Sequence, residues 1–294
     1  MSGARGFVGT WLVPHLEAAG HAVVGVDSDV DVCDAAAVDD SIGAARPDAI
    51  VHLAALSSVA ASLSDPARAA RVNALGTLHV LRAAQRRAPA ARVLLVSSSE
   101  IYGPGAGAPF DERAALAPRT PYARAKAAAD RLGAAFAARG LDVVRARPFN
   151  HTGPGQRDEF VASSFARQLA EIEAGLRPPE LAVGNLAAVR DFLDVADVVE
   201  AYRRLLDRAV PAGAYNVASG TGIAIGELLS GLLAASTAKP AVREHASRWR
   251  PADASVGDPG RLRRATGWAP RIPLADTLAR LLADWRARVK DAPA

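Results

Sequence analysis

The first half of this chain alternates short apolar runs with helical patterns, and that alternation constrains its fold more than any other feature. Residues 22–27 (A-V-V-G-V-D), 49–53 (A-I-V-H-L), 92–97 (R-V-L-L-V-S) and 142–147 (D-V-V-R-A-R) read as strands. Each is nearly continuous in apolar residues, as expected for a parallel strand covered on both faces. Helical patterns fall between them, around 8–19, 34–45, 66–87 and 121–139. Parallel strands need long crossovers and helices supply them, so the expected fold is α/β, a Rossmann-like doubly wound parallel sheet. After residue 150 the pattern loosens: Gly153, Pro154, Gly155, Pro178 and Pro179 punctuate it and the strands shorten. Residues 1–150 are therefore expected to form the sheet lobe and 151–294 a smaller C-terminal lobe. The chain is expected to re-enter the first lobe around 191–208, where Asp194 or Asp197 would cap a helix.

Composition removes several function classes. At 294 residues, half of them apolar, the chain can bury a sizeable core. Its net charge of +4 is small, the arginines are scattered, and no basic run is interleaved with aromatics, so no nucleic-acid partner is expected. Cys33 is the only cysteine, which rules out an internal disulfide and points to a reducing, cytoplasmic setting. No signal-peptide pattern opens the chain and no apolar stretch reaches membrane-spanning length, so no membrane partner is expected. No metal is expected either.

Residues 3–9 read G-A-R-G-F-V-G, with glycines at 3, 6 and 9 ahead of an amphipathic helix. A diphosphate needs close backbone approach and free N–H groups at a helix N-terminus, and glycines allow both. GxxGxxG is a variant of the dinucleotide fingerprint, and weak by itself. Asp27 strengthens it: it ends the second strand 18 residues after Gly9, where a carboxylate can accept both ribose hydroxyls of an adenosine. Residues 28–32 read S-D-V-D-V, so a 2′-phosphate would meet negative charge; NAD(H) is expected, with NADP(H) as the alternative. The first lobe is thus read as a dinucleotide lobe and the second as a substrate lobe.

One element is missing from this plan. The glycine turn should follow a buried central strand, yet only Met1 and Ser2 precede Gly3. Five residues buried on both faces contribute on the order of 5–10 kcal/mol, comparable to the ~5–15 kcal/mol stability of a whole domain. The expectation is that the natural protein carries several more apolar residues, and that a chain starting at Met1 binds a dinucleotide weakly.

Residues 122–126 read Y-A-R-A-K, after Thr120 and Pro121, which suit a helix cap and first turn. Tyr122 and Lys126 then share one helical face. A phenol with a free pKa of about 10 becomes a usable acid–base group when an ammonium beside it lowers that value. Lysine occurs only at 126, 239 and 290 in an arginine-rich chain, so a lysine kept at this spacing suggests work that guanidinium cannot do. The strand at 92–97 runs into S-S-E-I-Y-G, and ligands of open α/β sheets lie beyond the carboxyl ends of strands. Ser98 is the candidate to hydrogen-bond a substrate oxygen, with Ser97 and Ser99 as competitors. Glu100 is either a proton-abstracting base or a turn carboxylate.

With these residues in place, the chain resembles the extended short-chain dehydrogenase/reductase family, in the branch handling GDP-sugars. The likeness runs from Gly3 to about Trp285. It includes H-L-A-A-L-S-S-V (52–59), N-A-L-G-T-L-H-V-L (73–81), R-P-F-N-H-T-G-P-G-Q (147–156), G-N-L-A-A-V-R-D-F-L-D-V (184–195), Y-N-V-A-S-G (215–220) and R-P-A-D (250–253). Within the branch, N-H-T-G-P-G-Q followed by F-V-A-S-S-F-A (160–166) is most similar to GDP-4-keto-6-deoxy-mannose reductases. The resemblance implies Ser98, Tyr122 and Lys126 as the catalytic set. It implies Phe7, Val8, Leu53, Ala54, Ala55 and Pro148 as cofactor-lining residues and Asp34 as an adenine contact. It implies Ser58, Ser99, Asn150, Arg190 and Arg250 around a GDP-sugar, and a homodimer. The implied reaction is nicotinamide-dependent reduction of a C4 keto group. Because Glu100 is retained, 4,6-dehydration or epimerisation is the nearest rival. A non-catalytic dinucleotide-binding regulator is the rival from another class, although such proteins commonly lose the tyrosine or lysine. His151 is read as a loop histidine without a chemical role.

Overall fold

The computed structural model describes residues 1–105, 108–245 and 253–291. In chain order its helices are α1 (Phe7–Ala18), α2 (Ala35–Ala45), α3 (Val59–Ser64), α4 (Pro66–Ala70), α5 (Gly76–Arg87) and α6 (Pro121–Ala137). They continue with α7 (Val161–Glu173), α8 (Val195–Leu205), α9 (Ile225–Ala235), α10 (Gly260–Thr266) and α11 (Leu274–Asp291). The strands are β1 (Ala49–His52), β2 (Arg92–Val96), β3 (Val143–Pro148), β4 (Asn150–Thr152) and β5 (Glu180–Val183). After them come β6 (Val189–Asp194), β7 (Gly213–Val217), β8 (Gly222–Ala224), β9 (Ala241–Glu244) and β10 (Ala254–Ser255).

The main sheet has the order β1-β2-β3-β7, all parallel. Alternation along β2 explains why it is covered on both faces. Leu94 and Val96 point to one side, where Leu12 and Leu16 of α1 and Val198 and Tyr202 of α8 pack. Val93 and Leu95 point to the other, against Val80 and Leu81 of α5 and Phe136 of α6. A separate apolar core joins α7, α9 and α11 through Leu169, Leu228 and Leu281. Strand β6 and helix α8 return the chain to the first core at 189–205, and Asp194 caps α8 by accepting the Ala196 N–H. Asp197 instead accepts the N–H groups of Arg271 and Ile272, tying down the segment ahead of α11.

Two expected elements come out differently. Residues 66–87 are not one regular helix: a π-helical turn, Arg71–Leu75, lies between α4 and α5. The turn carries Asn73, whose side chain bonds both the N–H and the carbonyl of Leu56, fixing the loop after β1. Residues 22–27 form no strand, only a parallel bridge from Val26 to Ser2. Ser2 also bridges to His52, so Met1 and Ser2 lie between this segment and β1. Val26 N–H donates to the Met1 carbonyl, and Ser2 N–H to that of Val51. Residues 21–25 have no ladder neighbour beyond Met1, and Val24 stays 59% exposed.

Candidate active site

The glycine turn is shaped by contacts that leave no room for side chains. Gly3 has φ +73, and a Cβ there would lie 2.8 Å from the Ala54 nitrogen; at Gly9 it would meet the Gly3 oxygen at 2.3 Å. Gly6 starts α1 with no side-chain cap, and the first turn, with Phe7 and Val8, holds no acidic residue. Bare N–H groups on a positive helix end are what a dinucleotide diphosphate needs, so the turn fits that group on its own geometry. Leu53, Ala54 and Ala55 follow β1 directly, with Ala54 against Gly3.

Asp27 closes the turn from the other side. Its carboxylate accepts the N–H of Arg5 at 2.9 Å and of Ser28 at 3.0 Å. Asp34 is exposed and caps α2, accepting from Ala36 and Ala37. That accounts for the residue structurally and leaves its second oxygen for the expected adenine contact.

At the carboxyl end of β2 the catalytic candidates converge. Thr120 caps α6 through the Ala123 N–H, and Pro121 takes its first turn, as the sequence suggested. The Tyr122 N–H is bonded to Ser62 Oγ at 3.1 Å, which fixes the start of α6 against α3. The Tyr122 hydroxyl is hydrogen-bonded to Ser98. Ser98 Oγ also accepts the Glu100 N–H at 3.2 Å, and Lys126 Nζ donates to the Val96 carbonyl at 2.8 Å. All three side chains are buried. Ser99 is buried in the 3-10 turn Ser99–Tyr102, and Ser97 Oγ is buried with no hydrogen-bond partner among the described residues.

The electrostatics correct one expectation. Burial pushes the Tyr122 phenol up to about 12; the Ser98 hydrogen bond pulls it down and the Glu100 charge pushes it further up. Lys126 is not among the groups that shift it; its ammonium donates to the Val96 carbonyl, and burial brings its own pKa down to about 8. The phenol therefore carries its proton at neutral pH, as a donor must, while the raised value makes it a weaker acid than a free tyrosine.

Of the expected substrate contacts, Asn150 opens β4 directly after Pro148 and Phe149. Ser58 is buried and caps α3 through the Ala61 N–H. Arg190 is engaged elsewhere: it pairs with Asp253 Oδ1 at 2.7 Å and donates to the Asp253 and Val189 carbonyls. Arg250 lies outside the described residues.

Sequence reasoning missed two features. His52 bridges Ser2 Oγ (2.7 Å) and Thr77 Oγ1 (3.1 Å), joining the glycine turn, β1 and α5. Burial, with Lys126 nearby, takes its pKa down to about 3, so it is neutral. It was legible only as part of H-L-A-A, since its partners lie 50 and 25 residues away. His151, read as having no role, stacks on Phe7 with ring centroids 6.2 Å apart, bringing the loop after β3 to the start of α1.

A parallel sheet with a glycine turn at one strand end and a buried Ser–Tyr–Lys set two strands away defines a nicotinamide-dependent oxidoreductase. Comparison with known proteins narrows that class. A family model for GDP-mannose 4,6-dehydratase matches residues 28–281, and the chain belongs to that family. It is 38% identical over 298 residues to GDP-6-deoxy-D-mannose reductase of Pseudomonas aeruginosa, covering 99% of this chain and 98% of that protein. It superimposes on the structure of RMD from Pseudomonas aeruginosa complexed with NADPH with a TM-score of 0.87 at 37% identity, covering 97% of each chain. The Thermus thermophilus UDP-glucose 4-epimerase complex with NAD gives 0.86 at 28% identity, also over 97% of each chain. No helix among the described residues is long and apolar enough to cross a membrane.

Proposed function

We propose that this protein reduces the C4 keto group of a GDP-linked 4-keto-6-deoxyhexose to a GDP-rhamnose-type product, with NADH preferred over NADPH. The observation that carries this reading is the grouping of Ser98, Tyr122 and Lys126, all buried, at the carboxyl end of β2. Whole-length identity to a GDP-6-deoxy-D-mannose reductase supports it. When bound, the nicotinamide supplies the hydride. Ser98 hydrogen-bonds the keto oxygen and polarises it, and Tyr122 donates its proton to the same oxygen as negative charge develops. Lys126 has two N–H groups beyond its Val96 bond with which to hold a ribose beside the phenol. Asn150, Arg190 and Arg250 hold the nucleotide diphosphate, Arg190 exchanging Asp253 for phosphate oxygens. Residues 1–150, with the re-entering 191–208, serve the dinucleotide; 151–294 serve the sugar nucleotide. The working form is a cytoplasmic homodimer.

A second reading, 4,6-dehydration, is favoured by one feature: the Glu100 charge acts on Tyr122, so a carboxylate is close to the reacting position. Incubation with GDP-4-keto-6-deoxymannose and NADH, with the product identified by mass and NMR, separates the two. Gain of two hydrogens with a new C4 proton is the expected result. An unreduced keto sugar there, with water lost from GDP-mannose in a parallel incubation, would overturn the reading.

A further inference from the structure

Helix α6 carries Tyr122 in its first turn, where main-chain N–H groups have no partner inside the helix. Pro121 has no N–H to satisfy. The Ala123 N–H is taken by Thr120 Oγ1 at 3.1 Å, and the Arg124 N–H by the Thr120 carbonyl at 2.9 Å. The Tyr122 N–H depends instead on another element: it donates to Ser62 Oγ at 3.1 Å, on α3 and 60 residues earlier in the chain. Ser62 is 0% exposed, and its one hydroxyl proton goes to the Val59 carbonyl at 2.7 Å, so toward Tyr122 its oxygen can only accept. Helix α3 is itself held in place. Ser58 caps it through the Ala61 N–H, and the loop leading into it is gripped at Leu56 by Asn73.

We propose that Ser62 is a positioning residue for the proton donor: by holding the Tyr122 main chain, it sets where the phenol meets the keto oxygen. This rests on the proposed reduction, and it adds a residue that, being fully buried, meets neither sugar nor cofactor. Tyr122 has two polar anchors, its hydroxyl bond to Ser98 and its N–H bond to Ser62. Substrate disturbs the first, because a keto oxygen that takes a bond from Ser98 and a proton from Tyr122 has to come up to both hydroxyls. The second lies at the other end of the residue and is untouched by the reaction. Proton transfer needs heavy atoms within about 2.6–3.2 Å, and a misplacement of ~1 Å can cost ~10²-fold in rate. Without the Ser62 oxygen, a buried N–H is left with no acceptor and regains one only if the first turn shifts. Thr120 still caps Ala123, so the shift is confined to the residue that carries the phenol.

The test compares wild-type protein with Ser62→Ala and with Ser62→Cys, which keeps the bulk of the side chain but offers sulfur, a weak acceptor. Turnover of GDP-4-keto-6-deoxymannose with NADH is measured in water and in deuterium oxide, and NADH affinity by fluorescence titration of the same samples. Ser62→Ala is expected to lower kcat about tenfold, with KM for the sugar and NADH affinity changing less than about twofold. Its solvent deuterium effect on kcat is expected to exceed that of the wild type, because proton donation is the step that slows. Ser62→Cys is expected to fall between the two, and it decides alone should Ser62→Ala not fold. A merely structural role would lower NADH binding along with turnover and leave the isotope effect where it was. An unchanged kcat, a fall matched by lost NADH binding, or a fall with no rise in the isotope effect would overturn the proposal. Wild-type protein that leaves the keto sugar unreduced would overturn the function reading itself, and that measurement comes first.

Discussion

At the catalytic corner Ser98, Tyr122 and Lys126 are all buried and each is anchored by at least one hydrogen bond. At the glycine turn Arg5 and Asp29 lie largely in solvent, and the neighbouring segment 21–26 is held by the Val26–Ser2 bridge and by the Met1 ammonium, which donates to the Val24 carbonyl. The first region fixes chemistry through desolvation, where the protonation state of one phenol matters. The second presents exposed charges on a main-chain frame, where screening by salt and water keeps each contribution small.

Four substitutions or titrations break or sharpen that contrast. Tyr122→Phe is expected to lower kcat by about 10²–10⁴, the range for losing a positioned proton donor, while dinucleotide affinity measured by fluorescence changes less than twofold. Gly9→Ala acts at the other end: its Cβ would lie 2.3 Å from the Gly3 oxygen and 2.5 Å from the Ala4 oxygen, both backbone atoms. Dinucleotide binding should fall by more than about tenfold as the turn is forced open, measured by the same titration.

The third prediction concerns pH. Lys126 is protonated below its folded value of about 8 and loses its charge as pH rises through it. The rate of keto reduction should therefore decline above about pH 8, approaching tenfold per unit, whereas Tyr122 stays protonated throughout that window. A pH–rate profile checks it, and a flat rate to pH 10 would contradict the role of Lys126. The smallest effect is on stability. Folding depresses the His52 pKa to about 3, so the unfolded chain takes up a proton that the folded protein refuses. The stability contributed by neutral His52 is present above about pH 6.5 and lost as pH falls toward 3. Thermal melts between pH 7 and 4 should show a shallower decline for His52→Gln than for the wild type.

What was legible in the sequence follows the same division between local and distant. The cap at Thr120, the first-turn proline and the one-turn spacing of Tyr122 and Lys126 are local, and so are the apolar runs that became β1, β2 and β3. Residues 22–27 have strand composition, but a strand needs a neighbour, and pairing depends on Met1 and Ser2 alone. The direction of the Tyr122 shift was also out of reach. Spacing put an ammonium on the same helical face, whereas the direction of the shift is set by burial, with the Ser98 hydrogen bond opposing it and the Glu100 charge adding to it. His52 joins groups 50 and 25 residues away, and Arg190 meets Asp253 across 63. Contacts of that range leave no periodic trace in one chain.

The central claim is that a phenol holding its proton completes a net reduction of the sugar. The most direct measurement follows the absorbance of the reduced nicotinamide while GDP-4-keto-6-deoxymannose is converted, with product counted by NMR in the same sample. One cofactor oxidised for each C4 alcohol formed is the predicted result. Sugar converted with no net loss of reduced cofactor would contradict it.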